Sequence, residues 1–297
     1  MNVAPLIASR QTGEPVDEPV YGEAWLNWAY GNPLGRLTVE LAVKRVWFSR
    51  WYGWRMDRRS SAKKIFPFIK QYGIDIAEAV YPPDHYTSFN DFFSRRLKPE
   101  ARPIDPNPAS VVFPTDGRHL GYQDISSADT FYAKGQRFDI AKLLGDADLA
   151  AQYAGGAMII SRLCPLDCHR FHYPAEGVPS ETLAIGGPLY SVNPVSLARR
   201  LSVIWQNKRF LTSLKTERFG QVLILEIGAT CVGTVVQTHV AGQHTQKGGE
   251  KGTFHFGGSM CITLFEPGRV TLADDLLQAT AQGAELYARY GEAMGTA

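Results

Sequence analysis

The apolar and polar positions of this chain change period along its length. Residues 1 to 22 carry few apolar anchors and predict a loosely held start. Between Trp25 and Val80 the spacing is helical. Leu34, Leu37, Leu41 and Val46 recur behind Pro33, a residue suited to a first helical turn, and Arg36, Glu40 and Lys44 make an opposing polar stripe. Pro82-Pro83 ends that region, and residues 89–97 predict one more short helix. Four prolines, Pro99, Pro103, Pro106 and Pro108, then mark a connector, which divides the chain into a helical part, residues 1–105, and a second domain, residues 106–297. The second domain reads as short strands: residues 111–113, 157–163, 182–185, 221–227, 234–240 and 261–265, with a turn at 114–117 and a helix at 138–149. The tail, residues 272–294, reads as a helix with Asp274 and Asp275 in its opening turn. These elements predict an α+β fold: a mainly antiparallel, barrel- or sandwich-like core, amphipathic N-terminal helices and a C-terminal helix.

Composition narrows the picture without redirecting it. With 44% hydrophobic residues in 297, the chain can bury a real core, and a net charge of +2 gives no global argument for nucleic acid. No apolar run of about 20 residues spans a bilayer, and residues 1–22 lack the apolar segment of a secretory signal. The four cysteines, Cys164, Cys168, Cys231 and Cys261, are expected to be reduced, and their spacing is not that of a zinc site, so no metal is expected. One local bias does change the reading. Trp47, Trp51 and Trp54 interleave with Arg50, Arg55 and Arg58. Aromatic rings with cations suit a membrane interface carrying anionic lipid. The alternative is a helix packed on its own domain with a solvated basic face; RNA binding uses the same residue types, but no recognisable module accompanies them.

Candidate chemistry is concentrated in two segments. Residues 247–260 read KGGEKGTFHFGGSM, set between two apolar runs. Gly257 and Gly258 lead directly into Ser259. Glycine opens backbone conformations closed to other residues and leaves its carbonyl carbon unshielded. A serine hydroxyl against that carbonyl can attack it if a base takes the proton. Elimination across the resulting ester would cut the chain and leave a ketone at the new N-terminus. A solvated serine in a glycine-rich hairpin is the plainer alternative. The second segment, residues 162–174, holds His169 and His172 three positions apart, which in an extended chain puts them on opposite faces with different tasks. A histidine base gains from a carboxylate on its other nitrogen. Asp116 in its turn and Asp167 beside the histidines both qualify, and spacing does not choose between them.

Taken together, these segments resemble the proenzymes of the phosphatidylserine decarboxylase family. The likeness rests on FFSRRLKPEARPID (92–105), PTDG (114–117), CPLDCHRFHYPAEG (164–177), GPLYSVNPVSL (187–197), KGGEKGTFHFGGS (247–259) and LFEPG (264–268), in that order. The resemblance implies autocatalytic cleavage between Gly258 and Ser259, giving a β chain, residues 1–258, and an α chain, residues 259–297. It implies a covalent pyruvoyl group made from Ser259 and no added cofactor. Ser259 would be the nucleophile, His172 the base and Asp116 its orienter, and His169 would serve decarboxylation of phosphatidylserine to phosphatidylethanolamine. It also implies a peripheral place on the cytoplasmic face of the cell membrane, with a homodimer left open. Cys168, Met260 and Thr216 stand where the family more often has tyrosine, threonine and asparagine, which bears on headgroup fit rather than on reaction type. The rival readings are a pyruvoyl decarboxylase acting on another serine-headgroup lipid or a soluble amino acid, and a non-catalytic membrane-binding relative.

Overall fold

The apolar runs beyond residue 110 form strands because β-branched and aromatic side chains suit a pleated, buried surface. In the computed structural model, which describes residues 6–16, 18, 28, 31–39, 41, 45–126, 138–197, 200–229, 235–257 and 259–297, these strands build one large sheet and two small ones. Numbered in chain order, the large sheet runs β1 (Leu6–Ser9), β14 (Ala284–Ala288), β3 (Gly117–Tyr122), β4 (Met158–Leu163), β12 (Ser259–Leu264), β9 (Gln221–Ile227), β8 (Arg209–Lys215) and β6 (Val178–Pro179), with β7 (Leu183–Ile185) also paired to β8. Only β1 and β14 run parallel; the other pairs of this sheet are antiparallel. The two end strands do not meet, so the expected α+β core is an open sheet and not a barrel. The small sheets are β10 (Val235–Gln237), β11 (Glu250–Phe254) and β5 (Arg170–His172), and β13 (Thr271–Leu272), β15 (Ala293–Thr296) and β2 (Ser110–Val112).

Strands β4 and β12 are buried along their whole length, so both of their faces carry core. Met158, Ile160, Met260 and Ile262 point into one cluster with Leu120 and Leu225. The alternate residues face the other way, and at one end of that face Leu163 and Cys261 pack against Phe171 of β5 and Phe254 of β11. A strand's period of two therefore turns Ser259, two residues before Cys261, toward the β10–β11–β5 sheet. Ions replace apolar contacts at one point of the opposite face. Arg162 pairs with the fully buried Glu285 of β14 and with Glu18, which also reaches Arg118. These charges hold Glu18 at about 2 although burial opposes its ionisation.

The helical region does not stand apart from this core. The helix Ile65–Tyr72 turns Ile65 and Phe68 inward and ends on Gly73, whose φ of 62° closes the left-handed cap. With Met56, Tyr86, Phe89, Phe92 and Phe93 they form an aromatic cluster whose remaining member is Phe256, three residues before Ser259. The helix Val46–Asp57 keeps Ser49 and Met56 inside and leaves Trp47, Trp51 and Trp54 exposed.

Three sequence expectations need correction. The start expected to be loosely held pairs as β1 along β14, with Arg10 on Asp275 and Glu18 on Arg162. The helix expected over residues 138–149 is two short helices, Ile140–Leu144 and Ala147–Gln152, each capped by an aspartate and separated by Gly145 at φ 71°. The helix expected over residues 272–294 stops after Asp274–Ala281; the chain turns at Gly283 (φ 74°) and continues as β14 and β15. Ala284–Ala288 has partners waiting on two sides, β1 and β3, and that pairing outweighs local helix propensity. Glu40, Lys44, Cys231 and Gly258, all singled out from the sequence, lie outside the described residues.

Candidate active site

Ser259 is the first residue of β12 and lies opposite Leu163, the last residue of β4. On the other flank of β4, Gly117 opens β3, with Arg118 paired to Arg162. The turn carrying Asp116 and the strand start carrying Ser259 therefore converge on one end of the large sheet. Ser259 is fully buried, and its Oγ has no hydrogen-bond partner among the described residues. A buried hydroxyl left bare costs about 1–3 kcal/mol, a cost that needs a reason.

The segment leading to it is clamped from both sides. Gly252 on β11 lies so close to its neighbours that a Cβ there would meet the Val236 carbonyl oxygen at 2.3 Å and the Phe171 ring at 2.5 Å. Further on, the Phe256 N–H donates to Asn90 Oδ1 at 2.9 Å, and the Asn90 amide donates to Asp57 Oδ1 at 2.8 Å. The Phe256 ring meets Phe93 edge-on at 4.9 Å and Phe89 at 5.1 Å. Gly257, one residue before the bond expected to break, then takes φ 144°, a value that favours glycine.

The two histidines have separate surroundings, as alternate facing requires. His169 is fully buried with its ring 3.9 Å from that of Phe93. Its Nδ1 lies 3.1 Å from the Asp167 carbonyl oxygen. A carbonyl can only accept, so Nδ1 carries the proton and Nε2 is left as the basic nitrogen. That Nε2 is buried and bare, like the Ser259 hydroxyl. Burial pulls His169 down to about 3, against the opposing influence of the Asp167 carbonyl and the Gly257 backbone. His172 ends β5. Its N–H and its Nδ1 both donate to the Pro114 carbonyl, at 2.8 and 3.2 Å, and its ring lies 4.0 Å from that of Tyr290, 7° from parallel. Burial again dominates and holds it at about 4, with the Pro114 carbonyl, Glu250 and Asp116 pulling the other way. Both imidazoles are therefore neutral near pH 7, each with the same tautomer.

Neither candidate carboxylate bonds a histidine. Asp116 is buried and takes Arg102 through Nε at 2.9 and 3.0 Å and through Nη2 at 2.8 Å. It also accepts the Tyr290 N–H at 2.9 Å. Tyr290 thus lies between Asp116 and His172, bonded to one through its backbone and stacked on the other through its ring. Asp167 is taken by Arg118 and by the Cys164 N–H of its own turn. Arg102, Tyr290 and Asn90 all escaped the sequence reading. Arg102 lies within residues 92–105, where nothing nearby in sequence marks its partner, and Tyr290 lies in the tail expected to be helical.

A family model described as "Phosphatidylserine decarboxylase" matches residues 89–296. The chain is 42% identical over 286 residues to a phosphatidylserine decarboxylase proenzyme of Fusobacterium nucleatum, covering 96% of this chain and 95% of that protein. It is 41% identical over 292 residues to that of Chlamydia pneumoniae, covering 98% and 97%. It is 40% identical over 290 residues to that of Clostridium botulinum, covering 98% of each.

Proposed function

The chain belongs to the phosphatidylserine decarboxylase family, and from that premise we propose that it cleaves itself between Gly258 and Ser259 and then converts phosphatidylserine to phosphatidylethanolamine and CO2. The observation that carries the first half is the buried Ser259 Oγ, unpartnered among the described residues, two positions after Gly257 at φ 144°. That hydroxyl adds to the Gly258 carbonyl carbon, the C–N bond breaks, and the peptide becomes an ester. Loss of the Ser259 α-proton and breakage of the Cβ–O bond free the Gly258 carboxylate. Water then replaces the remaining nitrogen, releasing ammonia and leaving a pyruvoyl group. The site fits such a group: it is enclosed, and neutral imidazole nitrogens are the only bases it requires. Once formed, the group supplies an acceptor for the electrons released with CO2.

We assign His172 as the base that takes the Ser259 proton, with Asp116 orienting it through Tyr290, and His169 as the proton donor of decarboxylation. The bare, buried Nε2 of His169 beside Gly257 can accept a proton from the substrate ammonium and return it to the carbon that loses CO2, which supports that second assignment. His169→Ala is expected to mature yet turn over about 10²- to 10⁴-fold more slowly, the usual worth of a positioned acid; an unchanged rate removes the assignment. A base must be neutral to work. With His172 at about 4, self-cleavage of precursor translated in vitro is expected to hold a constant rate from pH 8 to pH 6 and to fall only below about pH 5. An ordinary histidine, near 6.5, would be only about a quarter neutral at pH 6. A rate already halved at pH 6.5 would exclude His172 in this environment.

The lipid gives the outer helices a task. Trp47, Trp51 and Trp54 project outward, with the Arg55 guanidinium over Trp51 at 5.1 Å and that of Arg58 over Trp54 at 3.8 Å. No helix among the described residues is long and apolar enough to cross a membrane. This surface suits a peripheral hold on an anionic leaflet, the cytoplasmic face in our reading. Residues 1–105 then include the membrane-associating helices, while β1, Glu18, Asn90, Arg95 and Arg102 of that part join residues 106–297 in building the catalytic part. Changing the three tryptophans together to serine is expected to weaken sedimentation with phosphatidylglycerol vesicles about tenfold or more; undiminished sedimentation would place lipid contact elsewhere.

The proposal as a whole is tested on the purified wild-type chain by intact mass after denaturation, by hydrazine labelling and by CO2 release from phosphatidylserine vesicles. Two fragments, a labelled α chain and released CO2 are expected; a single unlabelled chain would overturn it.

A further inference from the structure

Among the described residues, one buried charge near His169 has no counter-ion. Arg95 follows the helix Phe89–Phe93 and is 5% exposed. Its Nη2 donates to the Leu166 carbonyl at 3.1 Å, and its guanidinium lies 5.1 Å from the centre of the Phe92 ring. Its Nε and Nη1 have no hydrogen-bond partner, and among the described residues no carboxylate forms an ion pair with it. The other buried arginines of this region all have one: Arg102 has Asp116 and Glu78, Arg118 has Asp167, and Arg162 has Glu285. A guanidinium cannot shed its proton, so burying it unpaired is expensive. A second orphan stands beside it. The Tyr86 ring meets the same Phe92 edge-on at 5.5 Å, and its buried hydroxyl is also without a partner while lying in the field of Arg95.

The position identifies the ligand. The Arg95 carbonyl accepts from Cys168 Sγ at 3.2 Å, and the ring of Phe93, two residues earlier, packs at a tilt on that of His169. On its other side, Phe92 belongs to the aromatic cluster that carries the outer helices. Arg95 therefore stands between the proposed reaction centre and the proposed lipid-facing surface. In phosphatidylserine, the group between the reacting serine and the acyl chains is the phosphodiester. The substrate carboxylate is the poorer candidate, because an arginine on it would stabilise the charge that must be lost as neutral CO2. We propose that the Arg95 guanidinium, with the Tyr86 hydroxyl beside it, binds the phosphodiester of phosphatidylserine. This rests on the decarboxylase reading above. The planar fork of Arg95 suits two phosphate oxygens at once.

The test separates phosphodiester from carboxylate and from free anion. Glycerophosphoethanolamine carries the diester without a carboxylate, L-serine the reverse, and inorganic phosphate neither headgroup nor glycerol. Glycerophosphoethanolamine is expected to raise the melting midpoint of the mature wild-type enzyme more than the other two, and to have no effect on Arg95→Met. That variant is also expected to raise KM for phosphatidylserine about thirtyfold while kcat changes much less, with Arg95→Lys intermediate. Protection that survives in Arg95→Met, a greater response to L-serine, or equal protection by inorganic phosphate would each overturn the assignment. So would a fall in kcat at constant KM. Should Arg95→Met fail to mature, Arg95→Lys decides: a KM equal to wild type overturns the proposal, and a severalfold rise upholds it. Absence of CO2 release by the wild type would sink the decarboxylase reading instead, and the melting comparison would still report on Arg95.

Discussion

Ser259→Ala is expected to remain a single chain of 297 residues and to release no CO2 from phosphatidylserine. The change removes one atom, Oγ, and that atom is both the attacking group and the handle for elimination. The next residues of β12 do not replace it, because the strand turns Met260 to the opposite face and places the Cys261 thiol two residues further along. The fold should not suffer. The Oγ is buried and unbonded, so losing it removes a desolvated group without breaking a hydrogen bond. A melting midpoint equal to or above that of the precursor is therefore expected together with the loss of function, which separates chemistry from misfolding. Ser259→Cys retains a nucleophile and should cleave slowly. Two fragments from Ser259→Ala, of the wild-type masses, would move the cleavage site and take the proposed reaction with it.

Arg102→Leu is expected to have the second-largest effect, on stability and maturation together. Burial works against the charge of Arg102, yet its hydrogen bonds and charge contacts with Asp116 and Glu78 outweigh that and hold the guanidinium more firmly charged than usual. Removing it leaves Asp116 buried with the Tyr290 N–H as its remaining bond from this group of contacts. Breaking a buried ion pair from one side costs about 3–5 kcal/mol. For a chain of this size that lowers the melting midpoint by roughly 10 °C. The Asp116 turn also includes the Pro114 carbonyl that holds His172 Nδ1, so a relaxed turn should misplace the imidazole and slow cleavage. Arg102→Lys restores the charge but not the fork and should recover part of both losses. A melting midpoint within about 1 °C of wild type, with normal cleavage, would show that Asp116 does not depend on Arg102.

These two residues also mark what could be read before the fold was known. Ser259 was legible because its signal is local: two glycines and a serine between apolar runs allow few other uses. Strands β4, β9 and β12 were legible for a related reason, since runs such as QVLILEI are too apolar and too β-branched to lie elsewhere than inside a sheet. Arg102 was not legible. Nothing within a few residues of it says that its partner is Asp116, 14 positions on, rather than any of several other acids. The choice between Asp116 and Asp167 was undecidable for the same reason. In the structure one carboxylate is taken by Arg102 and Tyr290 and the other by Arg118, and both histidines rest on backbone carbonyls instead.

The tail failed differently. Residues 284–288 alternate buried alanine and leucine with Glu285 and Tyr287, a pattern that local propensity reads as the continuation of a helix. Strand partners at β1 and β3, far away in sequence, made it a strand. That misreading hid Tyr290, whose contact with both Asp116 and His172 depends on where β14 ends.

By itself, then, the order of residues determined which reactive groups exist and which stretch of backbone is primed to react, because those depend on chemistry within a dozen positions. Tertiary structure alone decided what each group is bonded to, which nitrogen of each histidine is left free, and how far burial moves its proton affinity. Those depend on distances between segments up to 174 residues apart, as between Asp116 and Tyr290, and on the removal of water, neither of which a linear pattern encodes.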